Sequence, residues 1–356
     1  MKKLRVAIIG QGRSGRNIHG AFFLSPANEK FEVVAVVDFD EVRRKNALER
    51  HPGCDVYETY QELFGRKDID LVVNSTFSDM HYPVSIDLMK HGFNVLVEKP
   101  MARTRYECDD MIKTAKDNNV LLAVFQQSFY APYYVFAKEL MESGKLGDIQ
   151  QVSIRFNGFA RRWDWQTLQV RNGGGIYNTG PHPIGFACDI LGFSDEIKVE
   201  YSKLSRCLTS GDSDDYAKMI LTAPNKPVVD LEVTSVDAYA PFNLKIIGSK
   251  GCAAISIPSY KMKYIVDGEN EERPVIFETL RNEDGTPTYC AEKLIAHEEE
   301  GTFEGSAFDH GTKTMYDTIY DAIVNGTPLP IGPEHAAKVI HVIETVHAQN
   351  HLERKF

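Results

Sequence analysis

The 356-residue sequence predicts an α/β protein in two parts: a parallel sheet flanked by helices over residues 1–124, and a second α/β domain over residues 125–356 whose mixed sheet is mainly antiparallel. Three observations predict it. An apolar run at residues 4–10 leads straight into the glycine-rich turn "GQGRSG". Strand-like and helix-like runs then alternate as far as residue 124, the order that gives right-handed crossovers and parallel pairing. From residue 151 onwards, short β-rich runs separated by turn signals replace that alternation, as antiparallel pairing requires.

The first strand, "LRVAIIG", is apolar almost throughout, as expected of a parallel strand buried on both faces. Gly10, Gly12 and Gly15 follow it in the G-x-G-x-x-G spacing of a Rossmann dinucleotide site. Gly10 permits the tight turn, Gly12 lets a pyrophosphate approach the backbone, and Gly15 lets the next helix pack on the strand. Arg13 and Ser14 stand in that turn, where the free N–H groups of a helix start can meet phosphate charge. The second strand, "FEVVAVVDFD", ends in Asp38, placed to accept hydrogen bonds from an adenosine ribose and to repel a 2′-phosphate. This favours NAD, with NADP possible because Arg13, Arg43 and Arg44 are nearby.

"DIDLVVNST" reads as the next strand, "MHYPVSIDLMKHG" as a helix closed by Gly92, and "NVLVEKP" as a strand stopped by Pro100. Ser75, Thr76, Glu98 and Lys99 therefore lie at C-terminal strand ends, the ligand edge of such a sheet, with His81 just beyond. The helix "RYECDDMIKTAKDNN" and the strand "VLLAVFQQ" complete the first part.

The second part opens on "RRWDWQTLQVRNGGGIYNTGPHPIGFACDILGF". Its three glycines, Gly173 to Gly175, allow a close backbone approach to a ligand or an unusual turn. They precede an apolar helix-like run from residue 183 to 191, so Asn178 and His182, four apart, sit near a helix start. Trp163 and Trp165 with Arg162 combine aromatic faces and hydrogen-bonding groups, which suits a carbohydrate; Tyr177 and Asn178 complete the candidate substrate set. The arginines leave the substrate's charge open. "QVSIRFNGF", "KVEYSKL", "YAKMILTA", "PVVDLEVTSV", "FNLKIIGS" and "CAAISI" read as strands, and two helices follow, the last beginning near Pro333 and placed to pack back on the first domain. His347 and His351 share a face of that last helix; with no third ligand nearby they are expected on an exposed face, and no metal site is expected. Residues 281–305 carry no readable pattern.

A net charge of −10 argues against a nucleic-acid partner. The six cysteines are scattered without a C-x-x-C pair, the opening apolar run is too short for a signal sequence, and no stretch reaches membrane-spanning length. A cytoplasmic protein with no membrane partner is expected.

Taken in order, "GQGRSG", "STFSDMH", "VEKP" and "GGGIYNTGPHPIG" resemble the Gfo/Idh/MocA family of NAD(P)-dependent sugar and polyol oxidoreductases. The resemblance implies a Rossmann domain, then an α/β domain whose mixed sheet builds oligomers, here a homodimer or homotetramer. It places the family lysine on Lys99 and the family histidine on His182. The family's Asp is replaced by Asn178, which can orient a hydroxyl but hold no charge. Lys99 and His182 are then the candidate acid–base groups, with Asn178 an orienting group. Gly10, Gly12, Arg13, Ser14, Gly15, Asp38, Ser75, Thr76, His81, Glu98 and Lys99 form the candidate cofactor set. A lysine can exchange the substrate proton if desolvation lowers its pKa; Glu98 would oppose this by pairing with it directly, and is given no proton-transfer role. The expected reaction moves a hydride between NAD(P)(H) and a secondary alcohol or ketone of a sugar, sugar derivative or inositol. Two alternatives share these residues: glycoside hydrolysis with no net redox, and a dinucleotide sensor without turnover.

Overall fold

Strand Leu4–Ile9 is the middle of a six-stranded parallel sheet in the order Asp55–Tyr57, Phe31–Val37, Leu4–Ile9, Leu71–Asn74, Val95–Val97, Leu122–Val124. The structure, a computed structural model, describes residues 3–290 and 292–356. The strand order reverses on either side of Leu4–Ile9, and a crevice at the carboxyl ends of the strands is the binding position of such sheets. Side chains alternate across the sheet: Ala7 and Ile9 enter one core, Val6 and Ile8 another.

The two faces are covered from different parts of the chain. Helices His81–Lys90 and Arg105–Asp117 cover one. The other is covered by Gly20–Leu24 and by Thr312–Asn325, whose Met315, Tyr316, Ile319 and Tyr320 pack among Phe22, Phe23, Phe31 and Val73. The first sheet is thus finished by residues far beyond 124. Helix Pro333–Gln349 packs on Arg105–Asp117 and on Pro181–Ile190, so one continuous core runs from Ala7 to Val346 through both parts.

The second sheet has eight strands in the order His297–Thr302, Ser259–Tyr264, Gly251–Ile255, Leu244–Gly248, Ile149–Asn157, Val228–Thr234, Tyr216–Thr222, Lys198–Ser205. All pairs are antiparallel except Ile149–Asn157 with Val228–Thr234. Val152, Ile154 and Leu231 point into the core, while Arg155, Lys218 and Asp230 on the opposite face pair with one another.

Two of these strands escape sequence reading. Ser259–Tyr264 alternates with lysines, and His297–Thr302, inside the unreadable 281–305 stretch, carries three consecutive glutamates; His297–Thr302 is the sheet's border strand and Ser259–Tyr264 the next one in, where charge rather than apolar alternation is favoured. The expectation of an exposed His347 also fails. Its ring stacks on Tyr177 at 5.2 Å between centroids, and burial, with the Arg103 charge, pushes its pKa down to about 4. His351 lies past the helix end at Gln349. Among the described residues no group of three His, Cys, Asp or Glu side chains could hold a metal.

Because Ile319 is fully buried on the sheet face that the returning helix covers together with Gly20–Leu24, Ile319→Ala is expected to cost about 2–4 kcal/mol. Urea unfolding followed by circular dichroism checks it, with the m-value unchanged.

Candidate active site

The glycine turn is held by contacts that leave its crest open. Gly10 has φ +87°, and a Cβ there would sit 2.5 Å from the Ser75 carbonyl oxygen. A Cβ on Gly15 would lie 1.8 Å from the Gly10 carbonyl oxygen and 2.7 Å from Ser75 Oγ, so a glycine here lets the helix start close on the two strand ends. Gly12 has nothing within 4 Å of its Cβ position, the open space a pyrophosphate requires. Ser75 donates to the carbonyls of Ile9 (2.7 Å) and Gly10 (3.0 Å), tying the turn to the neighbouring strand end. Asp38 is buried; its carboxylate accepts from Gln11 N at 2.6 Å and Asp40 N at 2.9 Å, with Arg43 at 3.5 Å. The Ser14 hydroxyl caps no helix N–H, and Arg13 is exposed above the turn. These residues fit a dinucleotide: an open glycine crest, a helix start without a side-chain cap, and a carboxylate at the end of the second strand.

Glu98 and Lys99, adjacent in sequence, point in opposite directions. Glu98 does not pair with the lysine ammonium. It accepts from His19 Nε2 at 3.1 Å, while His19 Nδ1 meets the Tyr316 hydroxyl at 2.8 Å, all three side chains being buried. Burial opposes ionisation of Glu98, but His19, Lys99 and His81 outweigh it and hold its pKa at about 2. His81 sets the same lip from beneath, its ring between the carbonyls of Pro100 (2.7 Å) and Thr76 (3.3 Å). Thr76 in turn donates to Asn74 Oδ1 at 2.7 Å. The side chains of Ser75, His81 and Glu98, expected at the cofactor, are therefore turned into the protein, where they fix the loops of the site.

Lys99 leaves the lip toward the second domain and its Nζ donates to the main-chain carbonyl of Asn178 at 2.8 Å. Its pKa is lowered by burial and by the charges of Arg13 and Arg162, against the pull of Glu98. His182 lies one turn beyond Asn178, at the start of helix Pro181–Ile190, with Nδ1 bonded to the Ser128 hydroxyl at 2.9 Å. Burial and the Lys99 charge push its pKa down to about 3, so it is a neutral imidazole whose Nε2 is left free by that bond. Asn178 contributes its carbonyl to this arrangement.

The glycine triplet resolves as a turn. Gly174 has φ +109° and a Cβ there would meet Asp214 Oδ1 at 2.2 Å, while Gly175 N and Ile176 N donate to Asp214. Tyr177, expected at the substrate, is buried: its hydroxyl donates to the Arg103 carbonyl at 2.7 Å and its ring lies on His347. The aromatic rim is formed instead by Trp165, edge-on to Phe77 at 5.0 Å, and by the exposed Trp163. Arg162 pairs with Asp164 at 2.7 Å beside them.

His19, Ser128, Phe77 and Tyr316 were not singled out from the sequence. Ser128 follows the strand Leu122–Val124 and so stands at the ligand edge, a rule that could have found it. Nothing local marks Tyr316, which arrives 297 positions after His19.

The depressed pKa of Glu98 gives a pH test. Its stabilisation is present above the unfolded value of 4.5 and is lost as pH falls through about 2. Glu98→Gln is expected to lower stability by on the order of 3 kcal/mol at pH 7, with the gap from the parent chain narrowing steadily below pH 4.5; urea midpoints across that range check it.

Comparison with known proteins agrees with this architecture. The model of an oxidoreductase family with an NAD-binding Rossmann fold matches residues 4–126, and that of the GFO/IDH/MocA C-terminal domain matches residues 134–254. An oxidoreductase of Schizosaccharomyces pombe is 30% identical over 199 residues, 54% of this chain and 53% of that protein, so the chain spans about half the length of that relative. The scyllo-inositol 2-dehydrogenase (NADP(+)) IolW of Bacillus subtilis is 23% identical over 96% of this chain and 92% of its own. A 3-ketoreductase from Actinomadura kijaniata, solved with NADP and TDP-benzene, superposes with a TM-score of 0.78 at 18% identity, covering 98% of each chain. Two consecutive domain models, the sheet order and the open glycine crest agree: this chain belongs to the Gfo/Idh/MocA family of NAD(P)-binding oxidoreductases.

Proposed function

We propose that this protein interconverts a secondary alcohol and a ketone on a sugar, sugar derivative or inositol, using NAD in preference to NADP. The observation that carries the reading is the convergence of Lys99 and His182, from different domains, at the ligand edge of the first sheet. A nicotinamide cofactor supplies hydride acceptance or donation when bound. The glycine turn, Arg13 and Ser14 would hold its phosphates, and Asp38 its adenosine ribose. Asp38 disfavours a 2′-phosphate, whereas Arg43 beside it would receive one.

The chain's own residues handle the proton. Lys99, with its pKa lowered by burial and two arginines, takes the hydroxyl proton in oxidation or returns it in reduction. Its hydrogen bond to the Asn178 carbonyl fixes the direction of Nζ, and Ser128 fixes the ring of His182 so that Nε2 can bond the same hydroxyl. Trp163 and Trp165 offer faces for the C–H side of a sugar ring, with Arg162 for its hydroxyl edge. The named activity of the inositol dehydrogenase relative supports a polyol substrate.

Homodimers or homotetramers would form through the outer face of the second sheet, which helices cover on one side only. On that face Arg155 pairs with Asp230 at 2.6 Å and Lys218 lies between Asp230 and Glu232, so these charges can be covered without being stranded. The described residues contain no helix long and apolar enough to cross a membrane, and Cys54, Cys108, Cys188, Cys207, Cys252 and Cys290 are free thiols, which supports a reducing, cytoplasmic setting.

Lys99→Met, assayed on a panel of inositols and sugars with NAD and NADP, is expected to lower turnover by about 10²–10⁴ while leaving NADH binding, followed by nicotinamide fluorescence, nearly unchanged. Unchanged turnover removes the lysine from the chemistry.

A further inference from the structure

Between the neighbouring strands Ser259–Tyr264 and His297–Thr302 the chain leaves the body as an irregular arm that doubles back on itself at one bridge, Arg281 to Pro287. Its legs are joined by Asn270 to Ile295 (2.8 and 3.0 Å), Arg273 to Glu292 (2.9 Å), Thr288 N to Leu280 O (3.1 Å) and a turn closed from Asn282 N to Thr286 O (2.8 Å). The hydrogen bonds of residues 270–295 all stay within the arm among the described residues. Yet it carries the most exposed large apolar side chains of the described molecule, Tyr289 at 97% and Phe277 at 92%, with Val275, Leu294 and Ile295 beside them. An arm held by so few bonds is marginal in water, and exposed apolar clusters of this kind mark contact surfaces.

Charge says what covers it. The arm itself, residues 265–296, holds eight acidic and three basic residues, a formal −5 of the chain's total −10. Two arms would repel one another. The other dense apolar exposure is the rim of the candidate site: Phe159, Trp163 (81%) and Tyr239 (91%), on loops joined by the Phe159–Val236 bridge. It carries Arg161 and Arg162, tempered by Asp164 and Asp237, and among the described residues Arg161 is in no ion pair.

Within one chain the two surfaces lie at opposite ends of the sheet. Tyr264 is level with Gly251, next to Cys252, which pairs with Ile247, itself opposite Gln151 near the start of Ile149–Asn157; the rim follows that strand's other end. We infer that the arm docks on a second copy of this chain, laying Phe277 and Tyr289 against the aromatic–arginine rim of that copy's candidate site. A two-fold relation makes the exchange reciprocal and closed. The contact does not depend on the hydride chemistry or on pairing of the sheet faces.

The test uses the full chain with Phe277→p-benzoylphenylalanine, mixed as light and isotopically heavy copies and illuminated. Heavy–light crosslinks to residues 158–164 or 237–241 are expected; crosslinks within one chain only, or heavy–light crosslinks elsewhere, overturn the inference. By sedimentation, Phe277→Ser with Tyr289→Ser should weaken self-association at least about tenfold; an unchanged association constant also overturns it. Ile247→Asp on the sheet face reports the face pairing separately, since arm crosslinks in its remaining dimers would persist.

Discussion

A carboxylate out of reach of water must be paired, and in this protein one such carboxylate, Glu98, organises the ligand edge. It draws in His19 from the helix after the glycine turn, and His19 in turn holds Tyr316 from the far end of the chain. Three segments distant in sequence are thereby fixed at one point directly beneath the residue that follows Glu98. Satisfying the buried charge with an imidazole rather than with Lys99 leaves the ammonium to face the other way, toward the second domain.

The site is thus a division of labour between neighbours. Of the inward-facing groups, Ser75 and His81 consume their hydrogen-bonding capacity on backbone carbonyls and Glu98 on His19 and the Lys99 N–H, which makes the loops stiff. Outward-facing groups, Lys99 and His182, are each oriented by a single bond and keep capacity in reserve. Both are starved of water, so both are biased towards their neutral forms, the condition for exchanging a proton without holding it.

Much of this was legible in the sequence because local chemistry dictated it. The apolar runs of the first sheet, the glycine spacing and the strand stopped at Pro100 each require a particular backbone, and the ligand-edge rule then located Lys99. His182 was legible only from the resemblance of its glycine-rich setting. What was not legible depended on partners remote in the chain. Glu98 reads as a cofactor-edge group until His19 and Tyr316 turn it inward, Tyr177 reads as a substrate group until Arg103 and His347 enclose it, and the glycine triplet reads as a ligand approach or an unusual turn until Asp214 decides for the turn. The acidic edge strand His297–Thr302 failed for a different reason: the solvent-exposed border of a sheet selects for charge, which erases the alternation by which strands are recognised.

The return of helix Thr312–Asn325 to the first sheet bears on how the chain is made. During synthesis the six parallel strands emerge early, but one face of their sheet has only the short helix Gly20–Leu24 over it until the residues up to 325 have left the ribosome. For that interval the nascent first domain carries an aromatic patch that only the end of its own chain can close. The first domain is therefore closed only after the last strand of the second sheet, His297–Thr302, has been made.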